Sequence, residues 1–248
     1  MKRVVELLGY EKIKIVQDTD MFSFSLDFMF FVNFASVGAR TRRIMDLCSG
    51  NAPVPLYLTL RTDSPIIGVE IQKKAYDLAV ESVKINNMED QIKIILDDVK
   101  GISKKGYYQS CDLVTCNPPF FEYRSSSLTN NNDYLTIARH EVLINLEEII
   151  KEAFMLLVDG GKFAMVHRPD RLLDILVLMK ENGLEPKRLR LVYPKIGEEA
   201  NHVLIEGIKN GKKGGLRILS PLFVYDGLEW TEEIKKIYNY QKEWVLCY

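Results

Sequence analysis

The sequence predicts an α/β fold in which a largely parallel sheet carries helices on both faces and closes with a late antiparallel pair of strands. Two observations predict it. Short apolar runs alternate with amphipathic ones through the middle of the chain, the pattern of repeated strand–helix–strand units. Residues 189–193 and 202–208 then read as two strands with no helix between them. That late pair separates this chain from an all-parallel dinucleotide-binding fold, with which it shares its first half.

Taken in order, Ile44-Met45-Asp46-Leu47 is a strand ending in a turn, followed by a helix over 53–60. The strand Ile66-Ile67-Gly68-Val69-Glu70 leads into a helix over 72–86, whose Ala75, Leu78, Ala79 and Val83 recur at helical spacing. Residues 92–96 and 112–116 are strands separated by a short helix or turn. A helix over 146–157 stops at Gly160-Gly161, a strand returns over 162–167, and a helix over 171–180 ends at Asn182-Gly183. Residues 4–20 carry little periodicity and are expected to cap the sheet, while 125–133 and 209–215 are polar loops. With no repeat and no boundary, the chain reads as one domain over 1–248: a cap segment 1–40, a core 41–210 and an extension 211–248.

The 248 residues include 33 basic and 34 acidic side chains, and a net charge of −1 argues neither for nor against nucleic acid, because binding depends on a local patch. Cys48, Cys111, Cys116 and Cys247 form no CxxC pair and no zinc-finger spacing, so no metal is expected. They read as reduced thiols of a cytoplasmic protein without a signal peptide. The apolar stretch 22–34 is interrupted by Asp27 and Asn33 and is too short to span a bilayer, so no membrane is expected.

In doubly wound sheets, ligands bind beyond the carboxyl ends of the strands. Asp46-Leu47-Cys48-Ser49-Gly50-Asn51-Ala52 lies at such an end, where Gly50 permits close backbone approach and Asp46 can balance a cation. Glu70 ends the next strand about twenty residues on, placed to take both hydroxyls of a ribose. Asp98 follows the third strand and can accept from an adenine amino group while Val99 lies on the ring; Asp97 is its rival. Each acid alone is an ordinary strand end, but one per strand in succession points to adenosine.

Asn117-Pro118-Pro119-Phe120 after the fourth strand is the most specific signal. Two prolines fix the backbone and remove donors, so nearby carbonyls face the pocket as acceptors. The Asn117 side-chain oxygen and the Pro118 carbonyl can then hold a planar NH₂ group with its lone pair aimed at an incoming carbon, and Phe120 can stack on the acceptor.

In that order these segments resemble the class I, seven-stranded, S-adenosylmethionine-dependent amino-methyltransferases. The resemblance implies a Rossmann-like sheet of order 3-2-1-4-5-7-6, S-adenosyl-L-methionine over strands one to three, and the acceptor at strand four. A narrower resemblance, to the bacterial tRNA(Val) adenine-37 N6-methyltransferases, rests on Ile15-Val16-Gln17-Asp18, residues 22–27, Asp46 to Asn51, Ala138-Arg139-His140-Glu141 and Arg168-Pro169-Asp170-Arg171. It implies that Gln17, Phe22, Ser25 and Asp27 contact the methionine end. The cofactor set becomes these four with Asp46, Cys48, Ser49, Gly50, Asn51, Glu70, Ile71, Asp98, Val99 and Asn117. Cys48 and Ala52 stand where the family usually has glycine, so the turn is expected not to need a positive φ at Cys48; Phe120 stands in place of tyrosine.

The implied partner is a tRNA whose base turns out of its stack into the pocket. Candidate contacts to it are Arg124, Arg139, His140, Arg168, Lys187, Arg188, Arg190, Lys209, Lys212 and Lys213. The rivals for the same tetrapeptide are a guanine N2-methyltransferase of rRNA, a protein-glutamine N5-methyltransferase and a non-catalytic RNA-binding protein.

Overall fold

The computed structural model describes the backbone of residues 2–7, 10–18, 27–118 and 144–238, and the side chains of 13–18, 27–118 and 144–238. In chain order the elements are β1 (Lys2–Leu7), β2 (Tyr10–Asp18), α1 (Asp27–Phe34), β3 (Ile44–Leu47), α2 (Pro53–Leu58), β4 (Ile66–Glu70), α3 (Lys73–Ile85), β5 (Ile92–Leu96) and β6 (Cys111–Cys116). Then follow α4 (Leu146–Leu156), β7 (Leu157–His167), α5 (Leu172–Glu181), β8 (Leu184–Lys195), β9 (His202–Lys209), β10 (Arg217–Ile218), β11 (Leu222–Asp226), β12 (Glu229–Trp230) and α6 (Glu232–Tyr238).

The main sheet runs β12-β11-β8-β9-β7-β6-β3-β4-β5, with β10 beside β8. Strands β5, β4, β3, β6 and β7 are parallel, and β9 is antiparallel to both β7 and β8. The expected order 3-2-1-4-5-7-6 is therefore present as β5-β4-β3-β6-β7-β9-β8. Within the extension, β10 and β11 pair with β8 and β12 with β11, and in the expected cap segment β1 and β2 pair antiparallel as a separate two-stranded sheet. β10 and β12 are two residues each, too short for a period-2 signal, and pairing beside β8 and β11 supplies what the local pattern lacks.

The central strands are buried on both faces, which is why they read as continuous apolar runs. Ile44, Ile66, Leu113, Val166 and Leu204 point to the side covered by α1, α2 and α6. Met45, Val69, Val114, Met165 and Ile205 point to the side covered by α4 and α5. Helix α4 starts in a capping box: Asn145 Oδ1 accepts from Glu148 N, and the Glu148 carboxylate accepts from Asn145 N, each at 3.0 Å. Helix α3 buries Ala75, Leu78, Ala79 and Val83, the face expected from their spacing.

Candidate active site

The parallel strands end at one level, because Leu47 pairs with Val69 on one side and Cys116 on the other, and Cys116 pairs with Met165. Loops leaving this edge can reach a common ligand. The first is the turn 48–52, in which Cys48, Gly50 and Ala52 all have positive φ, at 58°, 56° and 70°. The expectation that Cys48 avoids that region is thus corrected. Ser49 N donates to Val69 O at 3.0 Å and Ala52 N to Ser49 O at 2.9 Å, and these bonds hold the turn in place. Each left-handed non-glycine residue costs roughly 1–2 kcal/mol. The turn lies tight against β4: a Cβ on Gly68 would meet Ser49 Oγ at 2.6 Å. A glycine across the sheet is therefore as necessary as any in the turn.

Asp46 lies beneath the turn, 1% exposed. Its Oδ2 accepts from Ser49 Oγ at 2.5 Å and its Oδ1 from Thr115 Oγ1 at 2.7 Å. Burial pushes its pKa up to about 7 against the two hydroxyls, and the charge of Glu70 adds to the rise. Glu70 is also buried, with Oε2 accepting from Gly50 N at 2.8 Å and Oε1 from Gln72 N at 2.7 Å, so it joins the end of β4 to the turn. Burial raises its pKa while those backbone donors oppose the shift. Ile71, the next residue, is 39% exposed and offers an apolar face at the same edge.

After β5, Lys105 Nζ lies 2.7 Å from both oxygens of Asp97 and holds its pKa down. Asp98 is half-buried, and its Oδ1 accepts from Lys100 N at 2.9 Å. Of the two rivals, Asp97 is thus engaged by a lysine and Asp98 is not. Val99 is buried in the same core as Val69 and Ile102.

Asn117 is half-buried and Pro118 buried at the end of β6; Pro119 and Phe120 lie outside the described residues. Strand β2 reaches the turn from the other side. Asn51 Nδ2 donates to Val16 O at 3.0 Å, Val16 N donates to Ser82 Oγ of α3 at 2.9 Å, and Lys74 lies 3.1 Å from Asp18. Gln17 follows the residue bonded to the turn, whereas Phe22 and Ser25 lie outside the described residues. Asp27 starts α1. It is buried with its Oδ2 3.8 Å from His202 Nε2 at the start of β9, and β6 and β7 intervene between β9 and β3. Burial, helped by Arg168, lowers the pKa of His202 against the pull of Asp27.

Arg168 follows β7 on the acceptor side, half-buried, with its Nε 3.4 Å from Asp170. Beside it, His167 Nδ1 accepts from Arg168 N at 2.8 Å, and burial with the charge of Arg171 lowers its pKa to about 4. Arg124, Arg139 and His140 lie outside the described residues.

Three expected phosphate contacts are corrected. Arg188 is buried against Glu206 at 3.2 Å and donates to Phe34 O at 3.0 Å. Arg190 pairs with Glu233 at 2.7 Å and donates to Ser220 O at 2.9 Å. Lys209 is buried, donates to Leu157 O at 2.9 Å and sits 4.3 Å over the Phe154 ring. A buried cation needs a partner, and these have found theirs inside. Lys187 donates to the carbonyls of Lys212 and Gly214, so it holds the loop that carries Lys212 and Lys213. That loop follows the far end of β9, where Ile208 pairs with Lys162 while Val203 pairs with His167. Five residues of strand separate those levels, about 16 Å. These lysines stand at the opposite edge of the sheet from Asn117.

Thr115 was not singled out from sequence. Strand alternation could have found it, because it shares the Asp46 side of β6 between Val114 and Cys116 of the opposite core. Among the described residues no cluster of His, Cys, Asp or Glu could hold a metal, and no helix is long and apolar enough to cross a membrane.

The sequence profile of the methyltransferase small domain matches residues 13–181. A Bacteroides fragilis protein named tRNA1(Val) (adenine(37)-N6)-methyltransferase is 29% identical over 163 residues, 66% of this chain and 68% of that one. A Porphyromonas gingivalis protein of the same name is 30% identical over 172 residues, 68% and 66% of the two chains. Among solved structures, protein Atu636 of Agrobacterium tumefaciens, an O-methyltransferase by prediction, superposes with a TM-score of 0.67 at 18% identity. That match covers 86% of this chain and 95% of the other, and the two share a fold.

Proposed function

The chain belongs to the methyltransferase small domain family, and from that premise we propose that it transfers a methyl group from S-adenosyl-L-methionine to the exocyclic N6 of an adenine in tRNA, in the cytoplasm. The observation that carries the reading is the grouping at one sheet edge of the strained turn, Glu70, Asp98 and Asn117-Pro118. The relatives' printed name, for adenine 37 of tRNA1(Val), supports the choice of acceptor.

The residues present fit this cofactor. Each carboxylate oxygen has more than one lone pair, so Glu70 can keep the Gly50 and Gln72 amides and still accept from ribose hydroxyls. Asp98 accepts from an adenine amino group, and Ile71 offers an apolar face to its ring. The buried negative charge of Asp46 and Glu70 suits a cationic ligand. When bound, the cofactor supplies an electrophilic methyl carbon on a sulfonium.

Asn117 Oδ1 and the Pro118 carbonyl accept the two N–H bonds of the target amine, which turns its lone pair toward that carbon. Held in line, the amine needs no strong base, since it becomes acidic only after the new N–C bond has formed. Arg168 borders the acceptor side and suits an RNA phosphate.

Methyl transfer from labelled cofactor to total tRNA, with nucleoside analysis, tests the reading: N6-methyladenosine is expected, and N2-methylguanosine in its place sinks the adenine assignment. In the same assay Asn117→Ala should lower kcat by about 10³-fold with cofactor affinity unchanged. Turnover at the parental rate would remove Asn117 from the chemistry.

A further inference from the structure

The two halves of the site meet in one buried group. Asp46 of β3 and Thr115 of β6 are direct register partners. The Thr115 hydroxyl donates to Asp46 Oδ1 at 2.7 Å, while Ser49, in the turn, donates to Oδ2 at 2.5 Å. Thr115 is fully buried and stands two residues before Asn117. We propose that Thr115 is a positioning residue of methyl transfer: through Asp46 and Ser49 it locks the strand that presents Asn117 to the turn that seats the cofactor.

The inference rests on the reading above for what the two halves hold. Three polar side chains here occupy positions where apolar ones would pack. Valine matches threonine in shape and suits a buried strand at least as well, whereas a buried hydroxyl is costly unless bonded. Hydrogen bonds to a carboxylate are short and directional, so the trio fixes a distance as well as filling space. Displacement by one ångström at a reacting pair slows turnover about 100-fold, which makes a rigid link between the halves consequential.

The link also sets when Asp46 carries its charge. Facing its carboxyl are Ser49 from the turn, Thr115 from β6 and the carboxylate of Glu70 from β4; the Cys116 thiol of β6, in contact with Cys48, lies in the same field. Both hydroxyls stabilise the ionised form, against burial and Glu70. An ionised Asp46 favours a cationic cofactor, so affinity falls as pH drops through its titration. Without the Thr115 hydroxyl that fall begins at higher pH.

The test compares parent, Thr115→Val and Thr115→Ser. S-adenosylmethionine binding is measured calorimetrically between about pH 6 and 9, and methyl transfer to tRNA is measured at saturating cofactor. Thr115→Val should lose about 10-fold or more in kcat while KM for tRNA stays within about twofold. Its pH midpoint for cofactor binding should rise by about half a unit or more, and Thr115→Ser should restore both. Parental kcat and an unmoved midpoint in Thr115→Val, or a loss confined to KM, overturns the proposal. If Thr115→Val does not fold, Ser49→Ala removes the other hydroxyl and must raise the midpoint in the same sense; an unmoved midpoint there also overturns it. A parent that binds cofactor but methylates no tRNA would instead sink the functional reading, with the midpoint shift still deciding the role of Thr115.

Discussion

Buried charge is handled in opposite ways at two places on one face of the sheet, β3 with β4 and β8 with β9. At β3 and β4, Asp46 and Glu70 are 1% and 5% exposed, and their partners are hydroxyls and backbone amides. Neutral donors leave the negative charge uncompensated, and both pKa values rise. At β8 and β9, Arg188 and Glu206 are 8% and 2% exposed, and each meets its opposite at 3.2 Å. Ser36 completes that pair, donating to Glu206 through its backbone and its hydroxyl, each at 2.7 Å. Balanced buried charge holds strands together; unbalanced buried charge of one sign waits for a ligand of the other.

The largest effect that follows is on stability. Glu206→Ala leaves the Arg188 guanidinium buried without its carboxylate and should destabilise the protein by about 3–5 kcal/mol, read by denaturant unfolding. Cofactor affinity of the folded fraction should not change. An unfolding midpoint equal to the parent's would show that the pair is not structural.

Glu70→Gln should do the reverse. It removes a charge that nothing in the fold compensates and should weaken cofactor binding by roughly 10- to 100-fold, about 1.4–2.8 kcal/mol. Stability in the absence of cofactor should hold or rise. The sign follows from the raised folded-state pKa: the contribution of Glu70 to stability is complete below its ordinary value of 4.5 and is lost as pH rises through the folded-state value. The parent should therefore lose stability over that interval more steeply than Glu70→Gln. Parallel stability–pH curves for the two proteins would contradict the contrast between the two clusters.

That contrast explains what could be read from the chain. The core elements and the acids at the strand ends were legible because local periodicity marks the elements and strand ends are where ligands gather, whereas the order 3-2-1-4-5-7-6 came only with the family resemblance. Arg188, Arg190 and Lys209 read as a basic surface because a run of cations looks the same whether it is solvated or paired within. Their partners Glu206, Glu233 and the Leu157 carbonyl arrive through sheet register and the C-terminal extension, which local pattern does not reveal. The contact of Asp27 with His202 escapes local pattern for a similar reason: β9, far along the sequence, brings His202 to it. The backbone of the turn was misjudged because Cys48 and Ala52 suggest ordinary φ values, and tertiary bonds override that preference.

The smallest predicted effect uses that turn to sharpen the comparison. Cys48 at φ 58° on the cofactor side and Asn210 at φ 52° beyond the end of β9 share a left-handed backbone. For cysteine the strain is roughly 1–2 kcal/mol, and glycine would relieve it at a cost of roughly 0.5–1 kcal/mol in chain entropy. Cys48→Gly should thus stabilise by at most about 1.5 kcal/mol, a rise of no more than roughly 3–6 °C in Tm for a chain of this size. Cys48→Ala keeps the strain and should show no such gain. Asparagine tolerates this conformation, and its Nδ2 bonds Asp159 Oδ1 at 2.8 Å, so Asn210→Gly should gain nothing or lose stability. If Cys48→Ala stabilised as much as Cys48→Gly, the thiol and not the backbone would be the source. If Asn210→Gly gained as much, strain would not distinguish the cofactor side from the far one.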